Sequence, residues 1–336
     1  MIHTRDAQDA LGIAERQWEF LLQDFGVALS PDKSIENVVL AGMGGSALPG
    51  QFINSWPGLS VPFEISRNYD IPAYVNEKTL FISSSYSGNT EESLNAIEQA
   101  KAKGAKIIVI AAGGKLAELA KDGAYPYFAI PGGIQPRMST FYFLVAFTQI
   151  FEELGLAKEG SLAELREAAQ WLNGESRKWL PTVPAEQNQA KKIAQDIVGK
   201  NIVVYSGPKL FPAANKWKIC FNENAKNIAW CNQYPELNHN EFLGWTSHPI
   251  EKPYAVVEIR SNLEHPRIQK RFEATEKLLS GKRPSPEIIS AEGDSTLKQL
   301  LWAATLGDFT SLYLSLLNGL NPTPVDLIEK FKKELG

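Results

Sequence analysis

Two kinds of apolar pattern alternate along this chain. Short, nearly unbroken runs, NVVLAG (37–42), VPFEIS (61–66), TLFISSS (79–85), KIIVIAA (106–112) and AYPYFAIP (124–131), predict strands buried on both faces. Between them lie helix patterns: SALPGQFINSW after the first run, NTEESLNAIEQAKAKGA after the third, and a short helix before the fifth. A long apolar helix is expected from about Thr140 to Leu154. The helix after the third run carries its own start and stop signals. Asn89 or Thr90 can cap it, Glu91 and Glu92 suit the positive end of its dipole, and Lys101, Lys103 and Gly104 suit the other end. Ahead of the first strand, Leu11, Ile13, Trp18, Leu21 and Leu22 predict one amphipathic helix over 5–29, stopped at Ser30-Pro31.

Residues 157–189 change character. An Ala/Glu/Lys-rich helix runs into NGESRKWLPTVPAEQN, which reads as a connection between domains. The strand–helix pattern then restarts. NIVVYSG (201–207), YAVVEIR (254–260) and PEIISAEG (286–293) are strand candidates. PAANKWKICFNENAKN, LEHPRIQKRFEATEKLLSG and residues 295–319 are helix candidates, followed by NPTPVDLIEKFKKELG. The expected division is 1–156, a connection over 157–189, and 190–336. Alternating strands and helices in each half predict two related α/β domains, each with a mostly parallel sheet.

Composition narrows the classes. At roughly 150 residues per domain, 336 residues allow two cores. The balance of 34 Lys+Arg against 38 Asp+Glu leaves −4, so no bulk positive charge points to nucleic acid. Cys220 and Cys231 are too few for a disulfide framework or a thiolate zinc site and read as free thiols. The first twenty residues lack a signal-peptide pattern, and no run approaches the ~20 apolar residues of a membrane span. A cytoplasmic protein with no membrane partner is expected.

Chemistry concentrates at the junctions. GMGGSA (42–47) is neither G-x-G-x-x-G nor a Walker loop, because no G-K-[ST] follows. Its glycines, Gly45 among them, allow close approach of backbone, and Ser46 either caps a helix or offers a hydroxyl to a ligand. SSSYSGNTEE (83–92) brings Ser85, Ser87 and Thr90 to a second helix start, a donor set that fits a phosphate monoester held as a handle. Arg137 in GGIQPRM follows a strand, in a turn, and is either a surface arginine or a planar guanidinium that would steady oxyanion charge. Glu223 in FNENAKN and His239 in ELNHNE supply a carboxylate and an imidazole, the usual pair for moving protons, although each taken singly reads more readily as structural. No H-E-x-x-H or thiolate spacing surrounds His239, so no metal is expected.

Taken in order, GMGGS, SYSGNTEE, the Pro-Arg turn, NENAK, ELNHNE and the NPTPVDLIEKFKK segment resemble the bifunctional phosphoglucose/phosphomannose isomerases, from about residue 37 to 332. These are proteins of two SIS (sugar isomerase) domains. The resemblance implies three-layer α/β/α domains and interconversion of fructose 6-phosphate with glucose and mannose 6-phosphates through an enediolate, without a cofactor. It implies that Gly45, Ser46, Ser85, Ser87 and Thr90 hold the phosphate and that Arg137 stabilises the enediolate. Glu223 would move the proton between C2 and C1. His239 would assist ring opening from the neighbouring subunit of a homodimer, Lys330 would act at the ring oxygen, and Thr323 would admit both C2 epimers. Ala47 stands where the family commonly has glycine. A non-catalytic sugar-phosphate module, or an isomerase of another sugar phosphate, remains open.

Overall fold

The computed structural model describes residues 2–247 and 253–335. Two compact units divide the chain: Arg16–Asn173, and the first fifteen residues together with those from Gly174 onward. Two helices open it, α1 (Ile2–Arg5) and α2 (Ala10–Phe20). The helix expected over 5–29 is therefore shorter at both ends, for reasons of hydrogen bonding that are local at its start and long-range beyond its end. The Asp6 carboxylate accepts from the amides of Ala10 and Leu11 at 2.8 and 2.9 Å and starts α2 there. Beyond Phe20 the backbone finds partners outside a helix: Gln149 donates to Val27 O at 2.7 Å, and Glu153 accepts from Leu29 N at 2.7 Å.

The first unit continues through β1 (Asn37–Gly42), α3 (Gly44–Ser55), β2 (Phe63–Ser66), β3 (Thr79–Ser85), α4 (Glu91–Ala102), β4 (Lys106–Ala111), α5 (Gly114–Asp122), β5 (Tyr127–Ala129), α6 (Thr140–Glu153) and α7 (Ser161–Ser176). Its five strands are parallel, in the order β2-β1-β3-β4-β5. Val38 pairs with Phe63 on one side and Leu80 on the other, so β1 is an interior strand. Val39, Phe81 and Val109 point to one face and meet Ala96, Ile97 and Ala100 of α4 and Leu116 and Ala120 of α5. On the other face α3 meets α6, whose residues Phe143–Phe151 are all buried. That placement explains why α6 is apolar all round.

The second unit runs α8 (Gln189–Ile197), β6 (Asn201–Ser206), α9 (Phe211–Glu223), β7 (Ala229–Gln233), α10 (Glu241–Gly244), β8 (Tyr254–Arg260), α11 (Pro266–Leu279), β9 (Glu287–Ser290), α12 (Thr296–Leu317) and α13 (Asp326–Leu335). Its parallel sheet has the order β7-β6-β8-β9. Val203, Tyr205 and Val256 pack with Tyr234, Trp245, Ile268 and Phe272. Helices α8 and α9 both meet α12. By length and composition α12 could cross a membrane, but 89% of its most apolar stretch is buried inside the protein. It is a core helix.

Three observations depart from the apolar pattern. Strand β7, AWCNQ, was not expected: it is a polar edge strand with Trp230 exposed, laddered to β6 on one side, and its Ala229 N donates to Asn222 Oδ1 at 2.9 Å. The expected boundary at 156 lies ahead of α7, most of which belongs to the first unit, where Glu164 accepts from Trp56 Nε1 at 3.1 Å. The first residues group with the second unit. Arg5 Nη1 donates to Leu316 O at 2.7 Å, and Asn321 Nδ2 donates to Gln8 at 2.9 Å.

Candidate active site

In the first sheet the strand order reverses between β1 and β3, with β2 to one side and β3, β4 and β5 to the other. In open α/β sheets ligands bind outside the carboxyl ends of the strands at such a reversal. Both Gly/Ser turns fall there, because GMGGS leaves β1 and SYSGNT leaves β3, and Gly42 pairs with Ser84 across the crevice. Neither α3 nor α4 has a side chain capping its N-terminus; the cap positions are Met43 and Thr90. Ser46 lies inside the first turn of α3, not at its cap. Ala47 follows it, helical and buried, a position that a Cβ tolerates.

Hydroxyls knit the two turns together. Ser46 Oγ accepts from Tyr86 N at 2.9 Å, and Ser84 Oγ donates to Ser46 O at 3.0 Å. Ser85 is the hub: its Oγ accepts from Gly88 N at 3.1 Å and lies 2.7 Å from Thr90 Oγ1 and 3.4 Å from Ser87 Oγ. Ser85, Ser87 and Thr90 thus share one loop, and Ser46, on the other turn, is tied to it through Tyr86 N and Ser84 Oγ. Gly88 permits its shape. Its φ is +68°, and a Cβ there would lie 1.7 Å from Gly113 O.

Arg137 arrives on the turn Pro136–Met138. Gly45 lets that turn close on the β1–α3 junction, since a Cβ at Gly45 would stand 2.6 Å from Pro136 O. Arg137 is 2% exposed, and its Nη1 donates to Gln135 Oε1 at 3.3 Å. Tyr86, which sequence reasoning passed over, ties the same parts. Its hydroxyl donates to Pro131 O at 3.2 Å and accepts from Ile134 N at 3.1 Å, in the segment leading to Arg137. Burial raises the pKa of this phenol, so it stays a donor at neutral pH. An aromatic set between two loop hydroxyls was the available signal.

The second unit carries the remaining residues. Glu223 is the last residue of α9 and lines a groove of about 790 Å³ with Lys226, Trp230 and the segment Pro324–Ile328. Thr323 adjoins that segment, and its amide is held at 3.0 Å by Asn321 Oδ1. Lys330 lies on α13 and is exposed. His239 is elsewhere. Helix α9 delivers Glu223 to the start of β7, whereas His239 follows the end of β7. Five strand residues separate those ends by about 16 Å. The His239 turn is anchored through Glu241, which accepts from Tyr205 OH and, at 2.6 Å, from Asn232 Nδ2. Burial, and then the charge of Glu241, push the Tyr205 pKa up.

Comparison with known proteins agrees with this architecture. Residues 33–125 match the SIS domain, and residues 186–335 match the bacterial phospho-glucose isomerase C-terminal SIS domain. Fold and loops thus define a double-SIS protein. A curated relative from Caldicellulosiruptor bescii, named bifunctional phosphoglucose/phosphomannose isomerase, is 37% identical over 309 residues, 90% of this chain and 91% of its own. The chain belongs to the bifunctional phosphoglucose/phosphomannose isomerase family. Another relative, a D-glucosamine-6-phosphate 4-epimerase from Sulfolobus acidocaldarius, is 34% identical over 69% of this chain and 71% of its own. Among solved structures, a glucose-6-phosphate isomerase like protein from Thermus thermophilus shares the fold, with a TM-score of 0.65 at 18% identity and 97% of each chain covered.

Proposed function

We infer that this protein is an aldose–ketose isomerase that interconverts fructose 6-phosphate with glucose 6-phosphate and mannose 6-phosphate. The observation that carries the reading is the hydroxyl cradle at the β1/β3 reversal, with Arg137 brought against it at Gly45, in a chain of this family. Gly45, Ser46, Ser85, Ser87 and Thr90 hold the phosphate through hydroxyl and backbone donors. Glu223 takes the C2 proton of the open-chain aldose, the C1 carbonyl oxygen gains the electron pair, and an enediolate forms. Returning the proton to C1, while the C2 hydroxyl proton passes to O1 and the C2 carbonyl forms, gives the ketose. Arg137 stabilises the enediolate oxygen. Because the enediolate is planar at C2, reprotonation there from either face yields either epimer, and Thr323 is the residue we assign to that tolerance.

His239 assists ring opening, and Lys330 acts at the ring oxygen. The length of β7 between His239 and Glu223 supports a homodimer in which a site takes its histidine from the neighbouring subunit. The test is a coupled assay with glucose and mannose 6-phosphates on the wild type and Glu223→Gln. The variant should lose about 10²–10⁴-fold in kcat while retaining sugar-phosphate binding. Full activity in Glu223→Gln sinks the assignment of the base. Turnover of an amino-sugar phosphate alone would replace the substrate reading.

A further inference from the structure

One lysine side chain ties together the two segments that the isomerase reading makes responsible for chemistry at C2. Lys226 Nζ donates to the carbonyl oxygens of Glu223 at 3.0 Å and Asn224 at 3.3 Å, both at the carboxyl end of α9. The same ammonium donates to Asn321 O and Pro322 O, each at 3.0 Å, immediately before Thr323. Four carbonyls converge on three N–H donors, an arrangement in which only a compact cation fits. The first pair lies where the helix dipole is negative, so a cation there is favourable. Asn321 extends the linkage, since its Oδ1 accepts from Thr323 N. Lys226 itself lies at φ +52°, a conformation that a residue with a Cβ rarely adopts. The chain accepts that backbone, and the lysine stem turns back on the end of its own helix.

We propose that Lys226 is a positioning residue that sets the spacing between Glu223 and Thr323, and thereby the ratio at which the two C2 epimers are turned over. The proposal rests on the isomerase reading above. It acts through two other residues: the ammonium fixes backbone, and the backbone carries the base on one side and the C2-facing threonine on the other. Glucose and mannose 6-phosphates differ only at C2. A change in spacing there weighs on them unequally, whereas general loosening of the fold weighs on them alike.

The experiment measures kcat/KM for both epimers in one preparation each of wild type, Lys226→Met and Lys226→Arg. Their ratio cancels the fraction folded. Met keeps most of the stem and removes the donors; Arg keeps the charge but presents a planar fork that does not enter a ring of four carbonyls. We expect the mannose-to-glucose ratio to move at least threefold in Lys226→Met, and to move in Lys226→Arg as well. In a Thr323→Ala background, Lys226→Met should leave the ratio within threefold of that background. A ratio that moves less than threefold in both single variants, with the two activities falling together or not at all, overturns the positioning role. So does an undiminished shift in the Thr323→Ala background. If Lys226→Met does not fold, Lys226→Arg decides the matter by the same criterion. A wild type that turns over neither epimer overturns the isomerase reading itself, an outcome separate from an active enzyme with an unmoved ratio.

Discussion

Tyr86 shows how one oxygen can serve two loops. Its phenol spans from the hydroxyl cradle to Pro131 and Ile134, ahead of Arg137, while its own amide is tied to Ser46. Tyr86→Phe removes both bridges and leaves the ring in place. We expect kcat to fall about tenfold, a little over 1 kcal/mol and the worth of about one hydrogen bond, with KM for the hexose phosphate within twofold of wild type. Initial-rate kinetics check this; a rise in KM with kcat intact would mean that Tyr86 serves the phosphate and not Arg137. The hydroxyls at 46, 85, 87 and 90 were legible in the sequence because their chemistry is carried by residue type. The tasks of Tyr86, Lys226 and Glu241 were not, because each works through a partner that only folding supplies. Lys226 is an ordinary surface lysine until Asn321 and Pro322 are brought to it.

At the scale of elements, the contact of α9 with α12 holds a fully buried ion pair. Lys216 Nζ lies 2.6 Å from Asp308 Oδ1 with both side chains buried, and Cys220 Sγ donates to the same carboxylate at 3.1 Å. Removing one partner leaves a buried charge unmatched, at a cost of about 3–5 kcal/mol. Lys216→Met should therefore lower Tm by roughly 10 °C. Lys216→Met with Asp308→Leu should recover much of the loss, because an apolar pair of similar volume avoids desolvating charge. Calorimetry on the two variants distinguishes this from a weak pair, for which neither would shift. The strands β1, β3 and β8 were readable to the residue from their short, mostly apolar runs. Strand β7 was not, since Asn232 and Gln233 are poor strand formers and only pairing with β6 makes them extended. The overlong helix at 5–29 failed for the converse reason: its apolar spacing continues to Leu22, but Gln149 and Glu153, over a hundred residues away, supply the hydrogen bonds that hold 27–29 out of the helix.

For the whole molecule, two parallel sheets flanked by helices were readable from the restart of the strand–helix pattern after residue 189. The membership of the first residues was not, because no local signal tells α1 that its partner lies near residue 316. Arg5 also places a cation on a carbonyl at the end of α12, where the dipole favours it. Arg5→Ala should speed hydrogen exchange at the amides of residues 316–321 and leave those of β1 and β3 unchanged. Exchange measured by mass spectrometry would refute the link if 316–321 stayed protected. The pairing of residue 5 with residue 316 also bears on the order in which the chain can be completed as it leaves the ribosome. Residues 16–173 hold every strand of their sheet and can close as soon as they have emerged. Residue 5 has to wait for residue 316, so its hydrogen bond to the end of α12 cannot form until every strand of both sheets has been made.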